Sequence, residues 1–111
     1  MNTLLILTNL PDRATAESMA TLLVRDRLAA CVNILQPCQS VYRWNDEIET
    51  ATEIPLLIKT TEARYPALEK AIRLQHPYET PEIIALSVTG GFPEYLDWVA
   101  QETAQKNGPA S

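Results

Sequence analysis

The chain has 111 residues, of which 46% are hydrophobic and 21% charged, a composition typical of one globular domain with an adequate core. Its formal charge of -5 argues against nucleic acid or an anionic membrane as a partner, because both favour clustered Lys and Arg. No apolar run approaches the ~18 residues of a transmembrane helix, and residues 1–10 lack the features of a signal peptide. The sequence therefore predicts a cytoplasmic protein.

The first two elements are predicted to be a strand and a helix. Residues 3–8, TLLILT, form an apolar run of strand length that ends before the turn residues Asn9 and Pro11. Asp12 can cap a following helix that ends near Leu28. The inward face of this helix, at spacings of three and four, is Ala16, Met19, Ala20 and Leu23.

Residues 31–60 are predicted to form two long strands that fold back at Asn45 and Asp46. The second arm alternates, which is typical of a strand with one buried face. Its even-numbered face is Ile48, Thr50, Thr52, Ile54, Leu56 and Ile58. Tyr42 and Trp44 join this face only in a register that predicts a three-residue loop, 45–47, with Trp44 opposite Ile48. The same register places Pro37 opposite Pro55, so an interruption or a bulge is expected there.

This hairpin is too long for its own domain. Arms of roughly 13 residues span about 40 Å at about 3.3 Å per residue, whereas a compact chain of this length has a radius of gyration near 13 Å. We therefore expect its distal part to leave the monomer and to be covered by other subunits, since a bare edge invites uncontrolled pairing. The predicted interface residues are Tyr42, Trp44, Ile48, Thr50, Thr52 and Ile54.

The remaining residues predict a helix, a strand and a second helix. Thr60 and Thr61 offer caps for a helix that carries Pro66 in its first turn and ends before Pro77. Residues 82–88 read as a strand, and Pro93 fits the first turn of a last helix. The inner face of that helix is predicted to be Leu96, Val99 and Tyr95.

The order of elements defines the expected architecture. It matches the split β-α-β arrangement of the α+β class, a four-stranded antiparallel sheet with two helices on one face, to which an extra C-terminal helix is added. One surface of the sheet is left bare, which again indicates an oligomer. We expect residues 1–106 to form a single domain and residues 107–111 to form a flexible tail.

Few residues are suited to chemistry, and no enzyme is predicted. The sequence has no phosphate-binding glycine motif, no paired Cys-x-x-Cys and only one histidine. His76 either caps the end of its helix or acts as a metal-binding or proton-handling imidazole near Glu79. Cys31 is either a packed thiol or a metal thiolate, and no disulfide with Cys38 is expected unless the break at Pro37 folds the two together.

The distal hairpin is acidic. A solvated tip that like charges keep soluble is one reading, and attraction of cations is the other. The acids concerned are Asp46, Glu47, Glu49 and Glu53.

Several collinear segments between about residues 4 and 99 resemble one family. They are PDRATAE, LAACVNI, SVYRWNDEIE, LIKTT, HPYETPEI and GFPEYLDW. Together they look like the CutA family of divalent-cation tolerance proteins. The resemblance implies a ferredoxin-like protomer in a homotrimer, related to the PII signalling proteins, with long hairpins that build the contacts between subunits.

The resemblance also implies a function. It suggests a non-enzymatic, copper-linked protein that binds divalent metal ions, with the family's proposed copper ligands falling on Cys31 and His76. A third proposed ligand, a cysteine in some members, falls on Thr8 here. Any site must then be open, shared across subunits, or completed by Glu79 or water, so copper or another divalent cation should bind only weakly. The alternative is a PII-like module that binds a small molecule in the clefts between subunits.

Overall fold

A computed structural model describes residues 2–105, which form five strands and three helices. In chain order these are β1 (Thr3–Leu10), α1 (Arg13–Arg25), β2 (Cys31–Ile34), β3 (Cys38–Trp44), β4 (Glu47–Thr61), α2 (Tyr65–Gln75), β5 (Ile84–Ser87) and α3 (Pro93–Thr103). No helix within residues 2–105 is long and apolar enough to cross a membrane. The predicted tail, residues 107–111, lies outside the described residues.

The central sheet has the order β2-β4-β1-β5, with every neighbouring pair antiparallel. Ile6 of β1 pairs with Ile58 of β4 on one side and with Ala85 of β5 on the other. The two central strands are therefore the first and the long one, as a split β-α-β fold requires. The predicted α+β, ferredoxin-like architecture with a long hairpin and a C-terminal helix is confirmed.

The main core lies on the even-numbered face of β1 and β4, where α1 and α2 pack. The carboxylate of Asp12 accepts a hydrogen bond from the amide of Thr15 at 2.8 Å, which starts α1 as predicted and lowers the pKa of Asp12. Pro66 lies in the first turn of α2, also as predicted. The buried residues of the two helices are Ala16, Met19, Ala20, Leu23, Leu68 and Ile72.

The opposite face of the sheet is covered at one end by α3. Val99 and Thr103 are buried, and the guanidinium of Arg27 donates to the carbonyl oxygens of Gln101 at 2.9 Å and Ala104 at 3.2 Å. The face predicted to be bare is thus partly covered by the chain itself. The apolar side chains of β5 on this face, Ile84 and Leu86, remain 48% and 44% exposed.

The hairpin turn differs from the prediction. Trp44 pairs with Glu47, so the loop has two residues, Asn45 and Asp46, rather than three. Their φ angles of 50° and 63° are those of a left-handed two-residue hairpin turn, a conformation that Asn and Asp tolerate better than other non-glycine residues. The predicted three-residue loop depended on burial of one face of the hairpin, which would then set the register. Residues 41–50 are all exposed in the chain, so the turn sets it instead.

This register divides the predicted interface face in two. Tyr42 lies opposite Glu49, and Trp44 opposite Glu47, so both aromatic rings stand on the odd-numbered face of β4. The remaining members of the predicted set lie on the even-numbered face: Ile48, Thr50, Thr52 and Ile54. Ile54 is already buried in the monomer core, where it pairs with Leu10.

The predicted interruption of the first arm is present. Ile34 pairs with Leu56 and Cys38 with Glu53, so the first arm advances four positions where β4 advances three. Pro37 does not face Pro55, however, because the amide of Leu35 donates to the Pro55 carbonyl at 3.0 Å, which puts Leu35 at that position of the first arm. The extra residue turns β3 away from β2 and out of the central sheet.

Three boundaries also differ from prediction. Thr60 and Thr61 belong to β4 and cap no helix; the hydroxyl of Thr60 donates to the Leu28 carbonyl at 2.7 Å. Strand β5 is limited to Ile84–Ser87, and the helix α1 stops at Arg25.

The Cα radius of gyration is 15.1 Å, against about 13 Å for a compact chain of this length. The hairpin therefore projects from the domain as expected.

Candidate functional site

His76 follows the last turn of α2 and is buried, with 7% exposure. Its amide donates to the Ile72 carbonyl at 2.8 Å, so its backbone closes the helix. Its ring does not cap helix carbonyls. The amide of Tyr78 donates to Nδ1 at 3.1 Å, which leaves the proton on Nε2, 2.7 Å from the carbonyl oxygen of Asn9. Both ring nitrogens are therefore engaged within the chain.

Cys31 lies on the other face of the sheet. Its neighbour Val32 packs against the main core, so the half-buried Cys31 thiol points to the face that α3 covers. There it approaches the hydroxyl of Tyr95: burial, followed by the nearby Cys31 sulfur, raises the pKa of Tyr95. Both Cys31 and Cys38 are free thiols.

The structure does not bring Cys31 and His76 together within one chain. Cys31 pairs with Lys59, whereas Asn9, which accepts from His76, pairs with Pro55. Lys59 and Pro55 are separated by roughly 13 Å along β4 at 3.3 Å per residue, and the two side chains start from opposite faces. Within residues 2–105, no three His, Cys, Asp or Glu side chains are placed to hold one metal ion.

Thr8, at the position of the family's third proposed ligand, is fully buried on the α1 and α2 side of the sheet. Its hydroxyl oxygen has no hydrogen-bond partner among the described residues. Position 8 therefore lies on the His76 side of the sheet, away from Cys31, and presents an oxygen rather than a sulfur.

A cavity of about 580 Å³ opens between the hairpin and the segment that follows α2. The hairpin supplies one wall, from β3 and Glu53, and residues 78–82 supply the other. Glu79, the third predicted metal ligand, lines this cavity and is exposed. The lining residues are Asn9, Ser40, Val41, Tyr42, Trp44, Glu53, Tyr78, Glu79, Thr80 and Glu82.

Glu53 and Tyr78 join the two walls. Glu53 is only 8% exposed. Burial of the phenol, followed by its hydrogen bond to Glu53 and the carboxylate's negative charge, raises the pKa of Tyr78 to about 12. The Tyr78 ring also lies against the imidazole of His76, with 4.7 Å between ring centroids. Tyr78 thus lies beside both His76, at the end of α2, and Glu53, on the hairpin.

Neither Tyr78 nor Glu82 was predicted as a site residue from the sequence, and Glu53 was predicted to lie at a solvated hairpin tip. Glu82 accepts a hydrogen bond from the Asn9 side chain at 3.0 Å, which ties the second wall to β1. The available signal was the alternation of β4, which puts Glu53 on the odd-numbered face with Glu47 and Glu49. With a two-residue turn, Tyr42 and Trp44 fall on that same face, and the cavity wall could have been deduced.

Comparison with known proteins matches this architecture to one family. The model of the CutA1 divalent ion tolerance protein family matches residues 4–102. The divalent-cation tolerance protein CutA of Thermus thermophilus is 43% identical over 98 residues, which cover 88% of this chain and 95% of that protein. Mouse protein CutA is 44% identical over 93 residues, covering 84% of this chain and 52% of the mouse protein.

A solved structure of another CutA protein has the same fold as this chain. The crystal structure of CutA from Xylella fastidiosa superposes with a TM-score of 0.91 at 43% identity, covering 94% of this chain and 100% of that one. Residues 4–102, which the family model matches, contain the projecting hairpin and every strand and helix except the first residue of β1 and the last residue of α3. This chain therefore belongs to the CutA1 divalent ion tolerance protein family.

Proposed function

We propose that this protein acts as a homotrimer that binds divalent cations weakly, copper foremost, and contributes to metal tolerance without catalysing a reaction. The observation that carries the proposal is the hairpin formed by β3 and the outer part of β4, which projects from the domain. The chain that carries this hairpin belongs to a divalent ion tolerance family. Its location is proposed to be the cytoplasm, where the free thiols of Cys31 and Cys38 would stay reduced.

Exposed apolar side chains support the oligomer. Val41 and Ile48 near the hairpin tip are 65% and 64% exposed, and Ile84 and Leu86 form an apolar pair on the sheet surface beyond α3. In addition, among residues 2–105, β3 pairs only with β4, and β5 only with β1, so in this part of the chain each leaves an open edge with unpaired backbone groups. Neighbouring subunits that pair with these edges would satisfy the backbone and bury the apolar surface. A trimer rather than a dimer is proposed from the family resemblance.

The proposed metal ligands remain Cys31, His76 and Glu79, and they do not fit one ion within a single chain. His76 and Glu79 lie on one segment, whereas Cys31 lies on the far face of the sheet. We therefore propose that the cysteine comes from a different subunit, with water completing the set. Imidazole and thiolate donors favour copper among the divalent first-row metals.

Weak affinity follows from the hydrogen bonds of His76. Either ring nitrogen can reach a metal only after its bond to Asn9 or Tyr78 is broken. Each bond opposes metal binding by about 0.5–1.5 kcal/mol. We expect micromolar or weaker affinity, which corresponds to roughly 8 kcal/mol or less.

Calorimetric titration of Cu(II) into the protein tests the metal proposal. Cys31→Ser and His76→Ala should each weaken binding, whereas Cys38→Ser, the matched thiol control, should not. Glu79→Gln should have a smaller effect, because a carboxylate can be replaced by water in an open site. Copper binding that is unchanged in both the Cys31 and His76 variants would refute this ligand set.

The cavity beside the hairpin favours a second candidate, binding of a small molecule at a cleft that a neighbouring subunit borders. Its volume of about 580 Å³ falls within the range of small-molecule sites, about 300–1,000 Å³. Its tyrosine and tryptophan rings belong to the predicted interface set. A thermal-shift panel of metals and small molecules separates the two candidates, because a ligand selective for the folded state raises the melting temperature.

A further inference from the structure

We infer that the cavity between the hairpin and residues 78–82 binds an aliphatic di- or triamine. The ammonium groups would meet the carboxylates of the lining, and the methylene chain would lie along its aromatic rings. The inference deepens the small-molecule candidate by naming the ligand class. It rests on that candidate and shares Glu79 with the proposed copper ligands, whereas Glu53 belongs to the cavity alone, so Glu53→Gln separates the two proposals.

The charge of the lining selects a cation. Three of the ten lining residues, Glu53, Glu79 and Glu82, carry carboxylates, and none is Lys, Arg or His. Anionic ligands such as nucleotide phosphates require converging basic groups or exposed backbone amides. The lining therefore repels phosphate and attracts ammonium.

Glu53 provides the strongest observation. It is 8% exposed and lies in the cavity wall, and its identified partner is the neutral hydroxyl of Tyr78. The two ion pairs in residues 2–105 are elsewhere, between Arg25 and Asp26 and between Glu69 and Arg73. A buried carboxylate without a counter-ion is costly, and an ammonium bound in the cavity would supply the missing charge.

Aromatic rings complete the recognition. Tyr42 and Trp44 stand on the hairpin face that they share with Glu53, and Tyr78 faces them from the opposite wall. Ring faces attract ammonium groups within about 6 Å, and their apolar surfaces accommodate methylene chains. Only the two-residue turn permits this, because a register shifted by one would put Tyr42 and Trp44 on the far side of the hairpin.

The spacing of the acids favours several charges over one. Within residues 2–105 no three acidic, histidine or cysteine side chains converge on a single ion, so the three cavity carboxylates do not by themselves surround one metal ion. They nevertheless line one continuous space of about 580 Å³. A flexible chain with an amine at each end can reach separated carboxylates, which a single metal ion cannot do.

Titration with putrescine and spermidine tests this inference on the full chain. The neutral control is 1,4-butanediol, which has the length of putrescine without its charge, and MgCl₂ controls for diffuse attraction by the net charge of -5. Glu53→Gln and Glu79→Gln remove lining charges, and Glu17→Gln removes an equal charge from the outer surface of α1. Glutamine at 53 can still accept from Tyr78, and residue 79 is exposed, so both variants should fold.

Trp44 gives a local readout, because the other tryptophan, Trp98, is on α3 and outside the cavity lining. Both amines should change the Trp44 fluorescence and bind in calorimetry, whereas the diol should do neither. Glu53→Gln and Glu79→Gln should each weaken spermidine binding by about ten-fold, and Glu17→Gln should leave it unchanged.

Four results would overturn the inference. Equal loss in the Glu17 variant, or equal binding of Mg²⁺, would show diffuse charge attraction only. If ADP binds and changes the Trp44 fluorescence while the amines do not bind, the cavity accepts an anion rather than a cation. That result would refute the amine inference and support the small-molecule candidate. Absence of any response to amines or ADP would refute both the amine inference and the small-molecule candidate. The copper titration would still test the metal proposal separately.

Discussion

Replacement of His76 by alanine should destabilise the protein by about 2–4 kcal/mol, although the residue lies at the end of a helix. The imidazole makes two hydrogen bonds: Nδ1 accepts one from the Tyr78 amide at 3.1 Å, and Nε2 donates one to the Asn9 carbonyl at 2.7 Å. Each bond contributes about 0.5–1.5 kcal/mol. The ring also packs on Tyr78 with 4.7 Å between centroids, which adds about 0.5–1.5 kcal/mol. The loss should exceed that of an exposed helix cap.

Urea unfolding of His76→Ala at one fixed protein concentration measures the effect, since subunit association makes stability depend on concentration. His76→Gln is the matched control, because its amide carries one donor and one acceptor and can restore part of the network. We expect glutamine to recover about half of the loss, mainly through the two hydrogen bonds. A loss below about 0.5 kcal/mol in both variants would refute a network role for His76.

Three further predictions concern other positions. Thr8→Val should stabilise the protein by about 1 kcal/mol, because the buried hydroxyl has no partner, whereas Thr60→Val, which loses a 2.7 Å bond, should destabilise it in the same thermal melts. Asp46→Gly should stabilise the hairpin by up to about 1 kcal/mol and Asp46→Ala should not, since residue 46 has a φ of 63°; equal melting temperatures would contradict this. Tyr78→Phe should remove the phenol that ionises at about pH 12. Because folding favours the neutral phenol, this contribution to stability is complete below about pH 10 and lost as the pH rises towards 12, which phenolate absorbance and unfolding at high pH can follow.

The sequence predicted those elements whose local pattern and tertiary burial agree. The inner face of α1 was identified correctly from its spacing and from Asp12, because the same four residues that repeat at helical intervals are the ones that α1 buries. Pro66 marked the start of α2 for the same reason. Thr60 and Thr61 were misassigned because a threonine before a helix resembles a cap, and only the sheet shows that both continue β4.

The hairpin register could not be obtained from hydrophobic alternation. That alternation sets a register only where one face is buried, and residues 41–50 are exposed on both faces of the monomer. The local turn therefore decides it, through two residues with positive φ. Attention to Asn45 and Asp46 as turn formers would have given the correct pairing and the correct position of Tyr42 and Trp44.

The site was only partly accessible from the sequence. His76 and Glu79 are three residues apart, so their place on one segment of the chain could be anticipated. The contact between Tyr78 and Glu53 joins residues on separate elements, and the separation of Cys31 from His76 depends on which face of the sheet each occupies. These relations require the strand order and the placement of α3, which no local pattern encodes.

Native mass spectrometry of the purified protein during a Cu(II) titration tests the central claim most directly. A single spectrum reports both the number of 12.4 kDa chains in each assembly and the number of copper ions bound to it. The proposal predicts trimers that acquire copper, and trimers of His76→Ala and Cys31→Ser that acquire less copper at the same Cu(II) concentration. Monomers or dimers alone would contradict the homotrimer, and a wild-type trimer that takes up no copper would contradict the metal-binding function.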